Sequence, residues 1–205
     1  MITWIGRRGL GALLGCLLLL AGCLPMPDDG LRGRSVLGGA VKIAAPGGYC
    51  IDQAAGLQAA DTALVLIGRC TGGPGTLRAP AILTIAVGRQ GTGFDVATSG
   101  DELVAFFGSD QGRAALSHTG KAETVTLLET LVVRDAFLMR LRDSSPNPDS
   151  PGQAESWRAV LAVAGRLVTL TVTGTTQAPL SRDAGRALLE RFVAAMQAAN
   201  RGAAR

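Results

Sequence analysis

The chain has 205 residues, of which 47% are apolar and 18% charged, and its formal net charge is +4. This composition excludes intrinsic disorder over most of the length, and the length fits one ordinary domain but neither a transporter nor a multi-domain ATPase. The basic residues are mostly scattered arginines, and with one His and one Tyr the sequence argues against nucleic-acid binding and against a His-rich metal site.

The first 23 residues have the pattern of an export signal. Arg7 and Arg8 give a positive start, residues 10–21 are mostly apolar, and Leu-Ala-Gly-Cys follows at 20–23. This apolar run is too short for a transmembrane helix, which needs about 20 residues. The segment resembles a bacterial lipoprotein signal peptide with its lipobox. That resemblance implies cleavage before Cys23 and diacylation of its sulfur; the alternative is an uncleaved or buried apolar helix.

The lipoprotein resemblance implies a membrane anchor on the periplasmic side of the cell envelope. Two acyl chains hold a protein stably, since each buried methylene contributes about 0.8 kcal/mol and one chain is marginal. Leu24, in place of the Asp that retains many lipoproteins in the inner membrane, favours the outer membrane. Pro, Gly and Asp in the following residues predict a flexible tether. We therefore divide the chain into a signal peptide (1–22), an acylated Cys with its tether (23–39), one domain (40–199) and a disordered tail (200–205).

The four cysteines have different expected fates. Cys16 leaves with the signal and Cys23 carries lipid, so Cys50 and Cys70 remain as a pair in an oxidising compartment. We predict a structural disulfide, and closing a loop of about 20 residues stabilises by roughly 3 kcal/mol. A redox-active pair more typically has Cys-x-x-Cys spacing, which disfavours redox chemistry here.

Apolar runs of strand length alternate with turn clusters in the first half of the domain. The predicted elements are strands at 41–45, 49–52, 62–69 and 81–87, a turn at 71–75, and one helical turn within 53–61. The predicted disulfide would tie two neighbouring strands.

Two short helices, or one helix kinked at Gly108, are predicted in the middle of the chain. Ser99 and Glu102 match a capping box for the first, and Ser109 starts the second. The residues expected on their buried faces are Leu103, Phe106, Phe107, Ala114, Ala115 and Leu116.

Two hairpins and a terminal helix complete the predicted domain. The first hairpin has arms at 123–132 and 136–142, the residues from 143 to 155 form a loop, and the second hairpin turns at Gly165-Arg166. Ser181 caps the last helix. The expected core positions of the second hairpin and this helix are Trp157, Ala159, Leu161, Val163, Val168, Leu170, Val172, Leu188, Leu189, Phe192, Val193 and Met196.

Antiparallel hairpins with a middle and a terminal helix predict an α+β fold, an antiparallel sheet with flanking helices in an α/β/α sandwich. The Pro-Gly turn at 46–48, the hairpin at 165–173 and the capped helix ending in Phe192-Val193 resemble the Mog1/PsbP-like fold. Members of that fold are mostly non-enzymatic binding or assembly factors, which is what the resemblance implies here.

A second resemblance is closer in sequence. The segments at 48–52, 64–70, 112–117 and 165–170 resemble a family of small alphaproteobacterial lipoproteins without established function, some of which are labelled cation-transport ATPases. The sequence has neither the phosphorylation motif of such ATPases nor a Walker motif, so that label finds no support.

The candidates for nucleophilic chemistry are a few polar residues near the second helix. Ser109 lies one position early for a nucleophile elbow and is better explained as a helix cap. His118 could act as a general base or as a cap in a polar turn. Ser117 and Lys121 suggest a Ser-Lys dyad, but Gly120 makes a helical relation between them doubtful.

Metal and cofactor motifs are equally weak. Asp143, Asp149 and Glu155 lack the ligand spacing of a calcium loop, and the segment at 90–93 lacks the last Gly of a dinucleotide fingerprint. We therefore expect no catalytic, cofactor-binding or metal site.

Two functional hypotheses follow. In the first, the protein is a non-enzymatic binding or scaffold factor of the envelope that holds a protein or a lipid-like ligand in a groove or on a sheet face. In the second, it is a hydrolase-like enzyme with a site near Ser109, Ser117 and His118. An exposed apolar patch of several hundred Å², or a concave apolar pocket in the sandwich, favours the first hypothesis. A pocket that brings His118 within hydrogen-bond reach of a Ser and an acid favours the second, and an exposed His118 without such partners contradicts it.

Overall fold

The computed structural model describes residues 30–70, 81–145 and 150–202. The predicted signal peptide, Cys23, the turn at 71–75, Asp149 and the last three residues lie outside the described residues. Within those three ranges, no helix is long and apolar enough to cross a membrane.

A seven-stranded antiparallel sheet, a two-stranded sheet and three α-helices make up the described part of the chain. The strands are β1 (Gly33–Val36), β2 (Val41–Ala44), β3 (Tyr49–Gln58), β4 (Ala63–Arg69), β5 (Ala81–Gln90), β6 (Val125–Val133), β7 (Ala136–Asp143), β8 (Gly152–Val163) and β9 (Arg166–Thr175). The helices are α1 (Gly100–Gly108), α2 (Asp110–Leu116) and α3 (Arg182–Asn200), with 3-10 turns at Leu37–Gly39 and Ala122–Thr124. The large sheet has the order β3-β4-β5-β9-β8-β7-β6, and β1 pairs with β2. The prediction of one α+β domain built on an antiparallel sheet is confirmed.

The two predicted hairpins are both formed. The first turns at Arg134 and Asp135, whose φ angles are +52° and +58°, and the second at Ala164 and Gly165, with +50° and +72°. Left-handed backbone at both central residues matches the twist of the flanking strands. The second turn lies one residue earlier than predicted, because Arg166 already pairs with Val163 as the first residue of β9.

One face of the large sheet is covered by α3 and β2. The predicted alternation in β8 and β9 is confirmed: every second residue is buried in one cluster with the apolar face of α3. Ser181 caps α3 as predicted, with its hydroxyl accepting a hydrogen bond from the Ala184 N–H at 3.3 Å. Asn200 ends the helix and fixes it to β2, accepting from the Lys42 N–H at 2.9 Å and donating to the Lys42 carbonyl at 2.7 Å.

The opposite face of the sheet is covered over only part of its width. Leu103 and Phe107 of α1 and Leu116 of α2 are buried with side chains of β7 and β8, among them Phe137 and Met139. Over β4, β5 and β9 the same face carries half-exposed residues: Leu66, Ile82, Thr84, Thr171 and Thr173. Cross-strand pairing places Leu66 beside Thr84, Thr84 beside Thr171, and Ile82 beside Thr173. We call these five residues the open face.

Several local predictions are wrong. Residues 53–58 continue β3 instead of forming a helical turn, because the Asp52 carboxylate accepts from the N–H groups of Ala54 and Ala55 and bulges the strand before it pairs again at Gly56. The strands also extend into the predicted 143–155 loop, since β7 ends at Asp143 and β8 begins at Gly152.

The predicted capping box is not formed. The Ser99 backbone is not extended, with φ −102° and ψ 21°, and its side chain makes no cap hydrogen bond. Phe106 is 41% exposed although it was expected on the buried face with Phe107. Ala114 is half-buried and Ala115 exposed, because α2 buries only Gly112 and Leu116.

The ordered fold is longer than the predicted domain. Strand β1 and the 3-10 turn occupy 33–39, where a tether was expected, and Val36 is buried in the core. At the other end, Asn200 belongs to α3 rather than to a tail.

Candidate functional site

Ser109 is occupied in joining the two short helices. Its hydroxyl accepts from the Gly112 N–H at 3.1 Å and donates to the Phe106 carbonyl at 2.6 Å. Ser117 lies eight residues further on, about 12 Å away along the helix axis. The two serines of the enzyme hypothesis are therefore at opposite ends of α2.

Ser117 lies in a cluster of hydroxyl groups between α2 and the end of β7. Its Oγ is 2.8 Å from Thr124 Oγ1, 3.1 Å from Ser145 Oγ and 3.3 Å from Thr119 Oγ1. These contacts connect the α2 corner to the residues that follow β7. Among the described residues, the Ser117 hydroxyl contacts other hydroxyls and the Thr119 N–H, which gives it a structural role.

His118 binds Asp143 through its backbone and not through its ring. The His118 N–H donates to Asp143 Oδ2 at 2.7 Å, while the side chain is exposed. Among residues 30–70, 81–145 and 150–202 the imidazole has no hydrogen-bond partner. The Ser–His–acid arrangement that the enzyme hypothesis requires is thus not assembled by these residues.

Asp143 is the central acceptor of this corner. Its Oδ1 accepts from the Ser145 N–H at 2.9 Å and from the Ser145 hydroxyl at 2.6 Å, in addition to the His118 N–H at Oδ2. Burial acts to raise the pKa of Asp143, but these hydrogen bonds outweigh it and hold the pKa below its ordinary value of 3.8. The carboxylate therefore stays ionised and fixes His118 and Ser145 to the end of β7.

A cleft of about 300 Å³ opens beside Asp143. Its described lining comes from the end of β7, the start of β8 and the end of β9: His118, Asp143, Ser144, Ser145, Ser150, Gly152, Gln153, Ala154, Ser156, Arg158 and Thr173. Arg158 is the one Lys or Arg side chain among these described lining residues. The cleft adjoins the open face, since Thr173 belongs to both.

Arg158 is desolvated in the cleft. Burial lowers the pKa of its guanidinium, and the charge of Asp143 opposes that shift. The Nε atom is buried and has no hydrogen-bond partner. No other polar side chain of the cleft is left in this condition within the described residues.

Two of the three acidic residues weighed as calcium ligands are engaged with other groups in the described part of the chain. Glu155 pairs with Arg140 at 3.1 Å and with Arg142, while Asp143 binds the α2 corner and Asp149 lies outside the described residues. In the described part of the chain no three acidic, His or Cys residues form a group that could hold a metal ion.

The Cys50 and Cys70 sulfurs lie at bonding distance, with their Cα atoms 4.9 Å apart. Cys50 is in β3 opposite Gly68, and Cys70 follows the end of β4. Gly30 packs against the pair, since a Cβ on Gly30 would lie 1.9 Å from Cys50 Sγ. The pair therefore holds two neighbouring strands together at the end of the sheet where Gly30 lies.

Arg158 and the open face were missed from the sequence. In the alternating strand β8, Arg158 stands between Trp157 and Ala159 and has the pattern of a solvent-facing residue. Its burial depends on β7 and β9 on either side, where it pairs with Met139 and Thr171. The threonines of β9 gave a partial signal, because they mark the less buried face of that strand.

The fold and the cleft together define a single α+β domain with a polar cleft at one end of its sheet. No protein-family profile and no curated protein matches the chain. Among solved structures, the Saccharomyces cerevisiae Ran-binding protein Mog1p has 9% identity and a TM-score of 0.43, covering 83% of this chain and 95% of that one. A point mutant of protein Mog1 has 10% identity and a TM-score of 0.44, covering 82% and 93%. Both carry the name of the fold that the sequence resembles, and at these TM-scores we base no conclusion on the likeness.

Proposed function

We propose that this protein is a lipid-anchored binding factor of the cell envelope that holds a partner protein against the open face of its sheet. The observation that carries the proposal is the open face itself. Five uncharged residues on three neighbouring strands remain half-exposed, while the adjoining strands are covered by α1 and α2. An uncovered sheet face on which Leu and Ile side chains stay partly accessible is a candidate interaction site.

The shape of the open face favours a protein partner over a lipid-like ligand. Sites for lipids and other small apolar molecules are usually concave and mostly apolar. The cleft beside Arg158 is lined by hydroxyl and charged groups. The open face mixes Leu and Ile with threonines on extended strands, a surface on which another protein can pack and form hydrogen bonds.

Three features support the envelope location. The sequence at 20–23 matches a lipobox, the Cys50 and Cys70 sulfurs are at bonding distance, and the first described strand begins at Gly33, ten residues after Cys23. Disulfides persist in oxidising compartments such as the bacterial periplasm. We extend the proposal to an α/β/α sandwich of the Mog1/PsbP-like kind, with α1 and α2 forming an incomplete second helical layer.

Position-specific crosslinking in living cells tests the partner protein. A photoreactive amino acid at Thr84 should crosslink to one discrete protein, whereas the same probe at the exposed Thr126 of β6 should not. Adding Leu66→Glu should remove the Thr84 adduct, because a charge in the interface would be desolvated. Equal labelling at both positions, or crosslinking of Thr84 to lipid alone, would contradict a protein partner.

Metabolic labelling with an alkyne fatty acid tests the anchor. Cys23→Ala should abolish labelling and leave the unprocessed precursor, whereas Cys16→Ala, in the segment expected to be removed, should change neither. Labelling that persists in Cys23→Ala would refute the lipobox assignment and leave the open-face experiment unaffected.

A further inference from the structure

Arg158 differs from the other two arginines whose Nε atoms are buried without a partner, Arg140 and Arg166. Arg140 donates to Glu155 at 3.1 Å, and Arg166 donates to the carbonyls of Asp61 at 2.8 Å and Gly88 at 3.0 Å. Arg158 has no hydrogen bond or ion pair at any guanidinium nitrogen within residues 30–70, 81–145 and 150–202. Its guanidinium lines the cleft and keeps N–H donors without an acceptor in these ranges, so oxygen atoms of a ligand in the cleft can accept hydrogen bonds from it.

The chemistry of the cleft selects an oxyanion. A guanidinium presents its donors as a planar fork that matches carboxylate and phosphate oxygens. The hydroxyls of Ser156 and Thr173 line the same cleft and can donate further hydrogen bonds. These groups suit a tetrahedral, many-oxygen ligand better than a planar one.

Asp143 limits the charge of that oxyanion. Its carboxylate lies in the same cleft, and its influence on Arg158 is electrostatic, without a direct ion pair. Three hydrogen bonds from Ser145 and His118 already occupy its oxygens. Because the charges of Arg158 and Asp143 nearly balance, a monoanion fits better than a dianion, and a phosphodiester is a monoanion at neutral pH.

The cleft lies at the same end of the sheet as Gly30, which packs against Cys50. Strand pairing puts Cys50, Cys70 and the cleft at one end of the sheet. The paired residues at that end are Tyr49 with Arg69, Ala81 with Gly174, Gly152 with Thr175, and Val125 with Asp143. Three strand spacings separate β4 from β8, about 14 Å. Seven residues lead from Cys23 to Gly30, a chain of at most about 25 Å.

We propose that the Arg158 cleft binds the phosphodiester of a phospholipid headgroup in the membrane that anchors the protein. The phosphate oxygens accept from the Arg158 guanidinium and the neighbouring hydroxyls. The identity of the ligand as a membrane lipid rests on the proposed anchor at Cys23, whereas the oxyanion site rests on the cleft alone. Bound in this way, the domain holds the disulfide end of its sheet against the membrane.

The site is tested with the full mature chain in a neutral detergent and with glycerophosphoethanolamine as the soluble phosphodiester. Titration followed by the phosphorus NMR signal should show saturable binding that Arg158→Gln weakens at least about tenfold, the effect of one charge-assisted contact. Arg69→Gln removes an exposed charge at the same end of the sheet and should leave binding unchanged. No saturable binding, or equal weakening by both variants, would overturn the site.

Arg158→Lys provides a second variant if Arg158→Gln does not fold. It keeps the positive charge but loses the fork geometry, so binding should still weaken severalfold. Unchanged binding by a folded Arg158→Lys would show that only net charge matters and would contradict the guanidinium contact.

The source of the phosphodiester is tested by the rate at which phenylglyoxal modifies Arg158. The lipidated protein is placed either in phosphatidylethanolamine vesicles or in vesicles of a neutral glycolipid, with Arg69 as the internal reference. Protection of Arg158 only in the phospholipid vesicles supports the headgroup. Equal modification of Arg158 in both kinds of vesicle, together with binding of the soluble diester, would contradict a membrane lipid as the ligand. The cleft would then be a site for a soluble phosphodiester. If the alkyne fatty acid does not label Cys23, the proposed anchor is wrong, but the result of the diester titration still stands.

Discussion

Two parts of the same sheet face differ in what covers them. Over β7, the side chains of Phe137, Met139 and Leu141 are fully buried beneath α1 and α2. Over β4, β5 and β9, the open face stays half-exposed although its strands are as regular and as long. The difference shows that the strands do not need a second helical layer to form, so the exposed part is free to serve binding while the covered part holds the helices in place.

The largest effect is expected in the covered part. Phe137 is fully buried and stacks on Phe107 with ring centroids 5.8 Å apart. Phe137→Ala removes this contact and leaves a cavity, so it should lower the free energy of unfolding by about 3–5 kcal/mol. Urea denaturation followed by circular dichroism measures this change.

Thr171→Ala is the matched change in the open part, and it should cost less than about 1 kcal/mol because Thr171 is half-exposed and loses mainly cross-strand contacts. Equal losses for Phe137→Ala and Thr171→Ala would mean that the open face is covered in solution.

The next effect concerns the disulfide end of the open part. Cys50→Ala together with Cys70→Ala should lower the free energy of unfolding by about 3 kcal/mol, because the unfolded chain loses a constraint across a 20-residue separation. Thermal denaturation of the oxidised protein and the double variant measures it. Adding a reductant should reproduce the loss in the unsubstituted protein and leave the double variant unchanged. Two free thiols in the untreated mature protein would contradict the bridge.

The difference between the two parts also explains which features could be predicted. Alternation in β8 and β9 and the apolar face of α3 are periodic patterns, so Trp157, Leu170 and Phe192 were assigned to the core from the sequence alone. The burial of Arg158 and the exposure of the open face depend on which strands become neighbours. Strands β5 and β9 are far apart in the chain, and local periodicity carries no information about their pairing.

Predictions failed where side chains altered the backbone locally. The Asp52 carboxylate turns back on the N–H groups of Ala54 and Ala55, which bulges β3 where a helical turn was expected. The Ser99 hydroxyl could cap a helix in principle, but its backbone conformation does not place it there. Both outcomes depend on dihedral angles that residue types alone do not determine.

An effect smaller than that of the disulfide is expected at the polar corner that attaches α2 to the covered part. The pKa of Asp143 is lowered in the folded protein, so its contribution to stability is complete above the ordinary value of 3.8 and is lost as the pH falls below it, through the lowered pKa. At neutral pH, Asp143→Asn should cost about 1 kcal/mol, the size of a net hydrogen bond at a partly exposed site.

The difference in unfolding free energy between Asp143→Asn and the unsubstituted protein should therefore shrink as the pH is lowered from 5 towards 2, because the native carboxyl becomes neutral as well. Denaturant titrations across this range measure it, with the exposed carboxylate of Glu123 changed to Gln as the control. A difference that is independent of pH would mean that Asp143 acts through shape and not through its charge. In that case α2 would be attached to the sheet by the apolar cluster of Leu116 and Phe107 and not by the charge of Asp143. Apolar packing alone would then explain why helices cover one part of the sheet face and not the other.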